Sequence, residues 1–368
     1  MLKKRQINLD LLRIISIFLV IIIHVCSIVI ASFSGKMNFG NFSLILIDSI
    51  ARCSVPIFIM LSGYFMLSKK RIITYKETLD KSFKLIISLI VFSCAYIGFS
   101  WHLNGKPFSL IKIIEFFLAG KYIYHFWFIY MIIGLYLISP LLQKIVKHIK
   151  LEDFKYYAII TLIVSSIIPT VLKLKHFKKY AILQNFEFGF FNIYLLYFLL
   201  GYYLLNYKLS DKNKKKLTYL GIISLIITCS LTAYFTFHGN KFSSIFFEYY
   251  APNIIVYSVF VFVWLSDALK KIKYNSNMEK IITNLSKLTF GIYLIHMMII
   301  NFIIAKKKSV LVGFLLKRPF ISTFLFSIFV FTISSFIAMV ISKIPIVNKY
   351  LIYYNTKKGS ECNENTTN

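Results

Sequence analysis

LDLLRIISIFLVIIIH, residues 9–24, is apolar at all but four positions, and the apolar run continues to Ala31. About 20 such residues cross the hydrocarbon core of a bilayer as a helix. Lys3, Lys4 and Arg5 ahead of this run give it the outline of a cleavable leader. Against that, the run carries Asp10, Arg13 and His24, and many similar segments follow it. It reads as a retained first span.

Working outward, nine further segments have the same character: 45–67, 84–101, 125–143, 156–172, 187–206, 217–237, 250–268, 288–305 and 319–342. Of the 368 residues, 58% are hydrophobic and only 15% charged, far from the balance of a water-soluble domain. The expectation is an all-α, polytopic membrane bundle of about ten helices, with residues 1–345 as one membrane domain and 346–368 as a polar cytoplasmic tail. Short loops make successive helices antiparallel neighbours. The segment from Pro107 to Tyr124 is too polar to span and is placed at the outer surface.

The net charge of +29 would fit a nucleic-acid binder, but the Lys and Arg fall in short loops between apolar runs, not along one stripe. Nucleic acid is excluded as a partner, and the charge becomes a guide to topology. With the N-terminus inside, inner segments hold 27 Lys and Arg and outer loops 14, so both termini are expected in the cytoplasm. Two outer loops, Lys173 to Lys179 and Lys306 to Arg318, are basic against this trend, and the second reads as an interfacial segment. The five cysteines form no C-x-x-C pair, so neither a disulfide framework nor a metal site is indicated. No Gly-rich phosphate loop is present either.

Ionisable groups inside a span are costly and tend to face the bundle interior. Arg13 and His24 are eleven residues apart, near three full turns, so they share a face about 16 Å apart along the axis. Arg13 lies toward the inner end, where snorkelling to headgroups competes with a functional role. His24 is too deep for that, and an imidazole there can accept a proton from a hydroxyl and return it to a leaving group. A histidine bonded structurally to a neighbouring helix is the alternative. Arg52, on the returning second span, falls at nearly the depth of His24, where it can stabilise an oxyanion or simply pair with Asp48 one turn away. Pro56 interrupts that span. Ser62, Gly63 and Tyr64 follow toward its inner end. His125 and Trp127 open the fourth span at the outer interface, where aromatic belts are normal and sugars also stack. His296 sits deep in the ninth.

These residues carry a resemblance. The Arg13-x10-His24 spacing preceded by Asp10, RCSVPIFIMLSGYFML at 52–67, HFWFIYMIIGLYLISPLL at 125–142 and KLTFGIYLIHM at 287–297 resemble, in order, the motifs of the membrane-bound acyltransferase 3 family. The resemblance implies O-acylation, usually acetylation, of a surface polysaccharide or lipid-linked saccharide, with the acyl group drawn from cytoplasmic acyl-CoA. It implies Arg13 and His24 as the functional pair and Arg52 as the arginine of the Pro-containing motif. This chain resembles the shorter, membrane-only members in a bacterial plasma membrane.

Set beside that chemistry, Arg13, Lys69, Lys70 and Arg71 are expected to attract the phosphates of the donor, acetyl-CoA or a related thioester. His24 is expected to act as general base, with Arg13 and Arg52 stabilising donor and oxyanion. Tyr64, His125, Trp127 and His296 are expected at the acceptor. The rival is a flippase for a lipid-linked glycan, which would show paired broken helices in two halves; Pro56 has no clear counterpart in the second half.

Overall fold

The computed structural model describes residues 5–31, 33, 38–69, 71–103, 105, 109–118, 124–174, 189 and 191–348. Among them there are helices and no strands, as an all-α polytopic membrane protein requires: every backbone polar group in lipid must be met within its own segment. Nine helical segments are long and apolar enough to cross a bilayer, and a tenth, Ile193–Asn206, is apolar but shorter.

The first span, α1 (Ile7–Ile30), is the centre of the bundle and packs against five other helices. Asp10 in its first turn suits the positive end of the helix dipole and is buried, accepting from Ser286 at 2.7 Å and pairing with Arg5. One carboxylate thereby ties α1 to a helix nearly 280 residues away.

The second expected span is longer than read and is broken into α2 (Phe39–Ala51) and α3 (Ser54–Leu67). The interruption falls at Arg52 and Cys53, just before Pro56. Proline has no N–H to offer the carbonyl four residues back, so the carbonyl of Arg52 loses its helical partner and the ladder parts there. The neighbouring carbonyl of Ile50 accepts from the Tyr257 hydroxyl at 3.0 Å, a repair from another helix.

Beyond it lie α4 (Tyr75–Leu103), the short α5 (Leu110–Leu118), α6 (Trp127–His148), α7 (Leu151–Leu172) with a π-turn at Ile163–Ile167, and α8 (Ile193–Asn206). Then come α9 (Asp211–His238), α10 (Pro252–Lys270), α11 (Ser276–Lys317) and α12 (Pro319–Ile341). The ninth expected span, 288–305, is the middle of α11. Lys306 to Arg318, read as a basic outer segment, continues as helix to Lys317 beyond a non-helical residue at Lys307. Leu311 and Leu315, one turn apart, are buried while Val310 and Phe314 are exposed, the pattern of an amphipathic arm.

Close packing depends on two glycines. A Cβ on Gly63 would stand 1.8 Å from the Phe198 carbonyl oxygen, and one on Gly201 would stand 1.8 Å from that of Met60. The α3 and α8 backbones therefore touch at a reciprocal small-residue crossing. On the outside, Ile226, Phe324 and Phe329 are exposed as lipid-facing residues should be. Lys70, the polar tail from residue 349 and most of the Lys173 to Lys179 loop lie outside the described residues.

Candidate active site

Three imidazoles from three distant parts of the chain meet in the interior. The ring centre of His24 is 5.2 Å from that of His296 and 6.1 Å from that of His125, and the latter two are 5.3 Å apart. His24 comes from α1, His296 from α11, and His125 from the 3-10 turn Tyr124–Phe126 that opens α6. That turn is held by Tyr293, whose hydroxyl donates to the carbonyl of His125. Tyr96 on α4 donates to the carbonyl of Leu294 at 3.0 Å, so both phenols near the cluster are engaged with backbone.

His125 and His296 are buried, and Nε2 of each lacks a hydrogen-bond partner among the described residues. Unmet buried polar atoms are uncommon and call for a reason. No group of three or more His, Cys, Asp or Glu among the described residues is arranged to hold a metal ion.

Arg52 caps α2 at the break, beside the cluster, and its charge bears on His24. It donates to Asp48 at 2.7 Å, and its guanidinium lies 4.3 Å from the centre of the Phe247 ring. The expected ion pair exists, so the positive charge is shared and not bare. Arg52 Nε and Asp48 Oδ1 are buried without partners among the described residues, which leaves the pair able to receive one further polar group.

Toward the other end of the bundle a cavity of about 380 Å³ opens among α1, α3, α4, α6 and α11. Arg5, Arg13, Lys81 and Lys287 line it together with Ser62 and Tyr136, and Phe58, Phe128, Phe290, Val20 and Tyr293 supply apolar wall. Arg13 stands on the same wall as Val20, about 10 Å along α1, and its guanidinium lies 5.0 Å from the centre of the Phe65 ring. Val20 is one turn from His24, and Tyr293 one turn from His296, so the cavity ends beneath the imidazole cluster. Cations stand at one end of this cavity and apolar wall leads from them toward the imidazole cluster.

The residues expected here divide clearly. Arg13 lines the cavity, His24, His125 and His296 meet in the cluster, and Arg52 sits at the α2–α3 break paired with Asp48. Lys69 and Arg71 are not on the cavity: their carbonyls accept from Gln143 Nε2 at 2.9 and 3.0 Å, and the Arg71 guanidinium holds Glu77 through two bonds at an exposed site. Glu77 is also hydrogen-bonded to Thr74, so that loop is occupied with its own structure. Tyr64 faces Gln6, which donates to its hydroxyl at 2.9 Å, instead of lining the cavity. Trp127 lies between Tyr194 and Tyr249, with ring centres at 5.4 and 5.6 Å.

Arg5, Lys81 and Lys287 were not singled out by sequence reading. For Lys287 a signal was present, since it opens the KLTFGIYLIHM stretch two residues before the helix face that carries Thr289, Tyr293 and His296. Arg5 and Lys81 look like ordinary loop and helix-end cations, and only the way several helices cross around the cavity gives them a shared wall.

Residues 6–343 match the model of a family described as Acyltransferase domain, the acyltransferase 3 family. No curated protein and no solved structure matches the chain.

Proposed function

We propose, from the premise that this chain belongs to the acyltransferase 3 family, that it moves an acyl group, acetyl above all, from cytoplasmic acyl-CoA to a hydroxyl of a cell-surface or lipid-linked glycan. The family supports an acyltransferase, and the apolar helices make it multi-pass. What supports the finer reading is the cavity that runs from four cations to the base of the imidazole cluster.

In this reading the donor's phosphates lie against Arg5, Arg13, Lys81 and Lys287, and its thioester arm follows the apolar wall past Phe58 and Phe128. Arg is well matched to phosphate through its planar fork of donors, and Lys adds point charge. The acyl carbon then comes under His24. The acceptor approaches from the opposite end, past Trp127 and His125, with its hydroxyl turned to the cluster. His24 takes the hydroxyl proton as oxygen attacks the acyl carbon, and the Arg52–Asp48 pair turns a donor to the developing oxyanion. Collapse expels the thiolate, which recovers the proton.

The cavity mouth belongs on the cytoplasmic face of a bacterial plasma membrane, in line with the excess of Lys and Arg in the segments at that end. Membrane vesicles test both the chemistry and the sidedness. Inverted vesicles, with the cytoplasmic face outward, should incorporate label from [14C]acetyl-CoA into alkali-labile ester, while sealed right-side-out vesicles should not. Equal incorporation with and without the protein would overturn the reading.

A further inference from the structure

His296 Nδ1 lies 2.7 Å from the carbonyl oxygen of Tyr293, one turn back on α11. A carbonyl can only accept, so the proton of this bond sits on Nδ1, and in a neutral imidazole Nε2 is then a bare lone pair. That lone pair is buried and has no partner among the described residues. Its ring centre is 5.2 Å from that of His24 with the ring planes 46° apart, and as the rings stand no nitrogen of His24 is hydrogen-bonded to Nε2, so the hand-over takes a rotation of the His24 ring or one bridging water. His24 has no such fixed tautomer: the Ser27 hydroxyl donates to its main-chain carbonyl and leaves the ring alone.

We propose that His296 is a second proton carrier in the transfer, receiving through Nε2 a proton from His24. The inference rests on the acyl-transfer reading above. As the acceptor oxygen bonds the acyl carbon, its proton passes to one nitrogen of His24, and the proton on the other nitrogen of His24 passes to His296. When the carbon–sulfur bond breaks, the thiolate takes a proton back along the same path, and both rings end neutral.

A second ring has a physical use here. An imidazolium at His24 would form in a medium of low dielectric near the Arg52–Asp48 pair, whose cation Asp48 offsets only in part. Moving the charge one ring further away relieves the repulsion that remains. The other titratable groups around His296 are His125 at 5.3 Å, Tyr293 on its own helix and Tyr96 from α4. Both phenols donate to main-chain carbonyls, so neither supplies the missing proton to Nε2.

The alternative is that His296 merely orients His24, as the third member of a triad does. Two substitutions separate the roles. His296→Gln keeps an acceptor oxygen on a side chain of similar reach but cannot carry a proton, whereas His296→Ala removes both. The proposal predicts that the two variants, at wild-type thermal stability, lose kcat alike by about 100-fold, the scale of a lost general base, with KM for acetyl-CoA within about twofold. It also predicts a shallower acid limb in the pH profile of kcat for His296→Gln, one titrating ring having gone. A Gln variant within about threefold of wild type would overturn the proton role and leave only orientation.

A measurement without turnover guards against variants that misfold. In full-length protein labelled with 15N-histidine, the His296 signals should report an Nδ1–H tautomer at rest, and an Nε2–H tautomer would overturn the proposal. If wild-type protein transfers acetate and these results fail, the relay alone is wrong. If wild-type protein transfers nothing, the acyl-transfer reading falls and the relay falls with it.

Discussion

Arg13 is the residue whose role the geometry narrows most. An arginine near the end of a span often does no more than reach for headgroups, but here it lines a cavity with three other cations and its guanidinium rests on Phe65. If it holds donor phosphate through a planar fork, lysine is a poor substitute. Arg13→Ala is expected to raise KM for acetyl-CoA about tenfold and Arg13→Lys by nearly as much, with kcat changed far less; steady-state kinetics over acetyl-CoA concentration checks this. A selective loss of kcat would instead put Arg13 at the reacting atoms. Sequence periodicity was enough to set Arg13 and His24 on one face, because a single helix fixes that relation. It was not enough for the donor end: Lys69 and Arg71 were expected there on charge alone, yet their loop is bound to Gln143 and Glu77. Charge counts give attraction; which cations share a wall depends on how helices cross.

At the scale of elements, the broken second span and the α3–α8 crossing shape the site. Proline marked the break in the sequence, but its position is offset, because the carbonyl that loses its partner lies four residues before Pro56 and so exposes Arg52 at a helix end. Gly63 in Ser62-Gly63-Tyr64 serves a backbone-to-backbone packing of a closeness that no single-helix pattern reveals. Gly63→Ala must push a methyl into the Phe198 carbonyl, and overpacking of this sort costs about 1–3 kcal/mol or more. The variant is expected to unfold at a clearly lower temperature in detergent and to lose activity with it. Because Ser62, one residue away, lines the cavity, a variant that kept its stability would show that the α3–α8 crossing can open without harm. Helix edges were less legible: α11 runs through a lysine-rich stretch that looks like a loop, since a helix leaving the bilayer tolerates charge that a span does not.

For the whole molecule, hydropathy alone carried the all-α membrane class, because lipid permits few alternatives for a chain this apolar. The convergence of His24, His125 and His296 was the part it withheld: each looked like an isolated deep or interfacial histidine, and only the packing of α1 against α11 and the start of α6 makes them a cluster. On the proposed function the molecule offers two approaches to His24, the cationic cavity at one end and the aromatic cluster around Trp127 at the other. The most direct test is the ester-linked acetate released by mild base from surface glycans of cells carrying the intact protein, no protein, or His24→Ala at matched membrane levels. The account predicts acetate with the intact protein only, since loss of a general base typically costs 100-fold or more in rate, on the order of the detection range. Equal acetate from all three would contradict O-acetyl transfer to the surface, and acetate retained by His24→Ala alone would contradict the place of His24 in it.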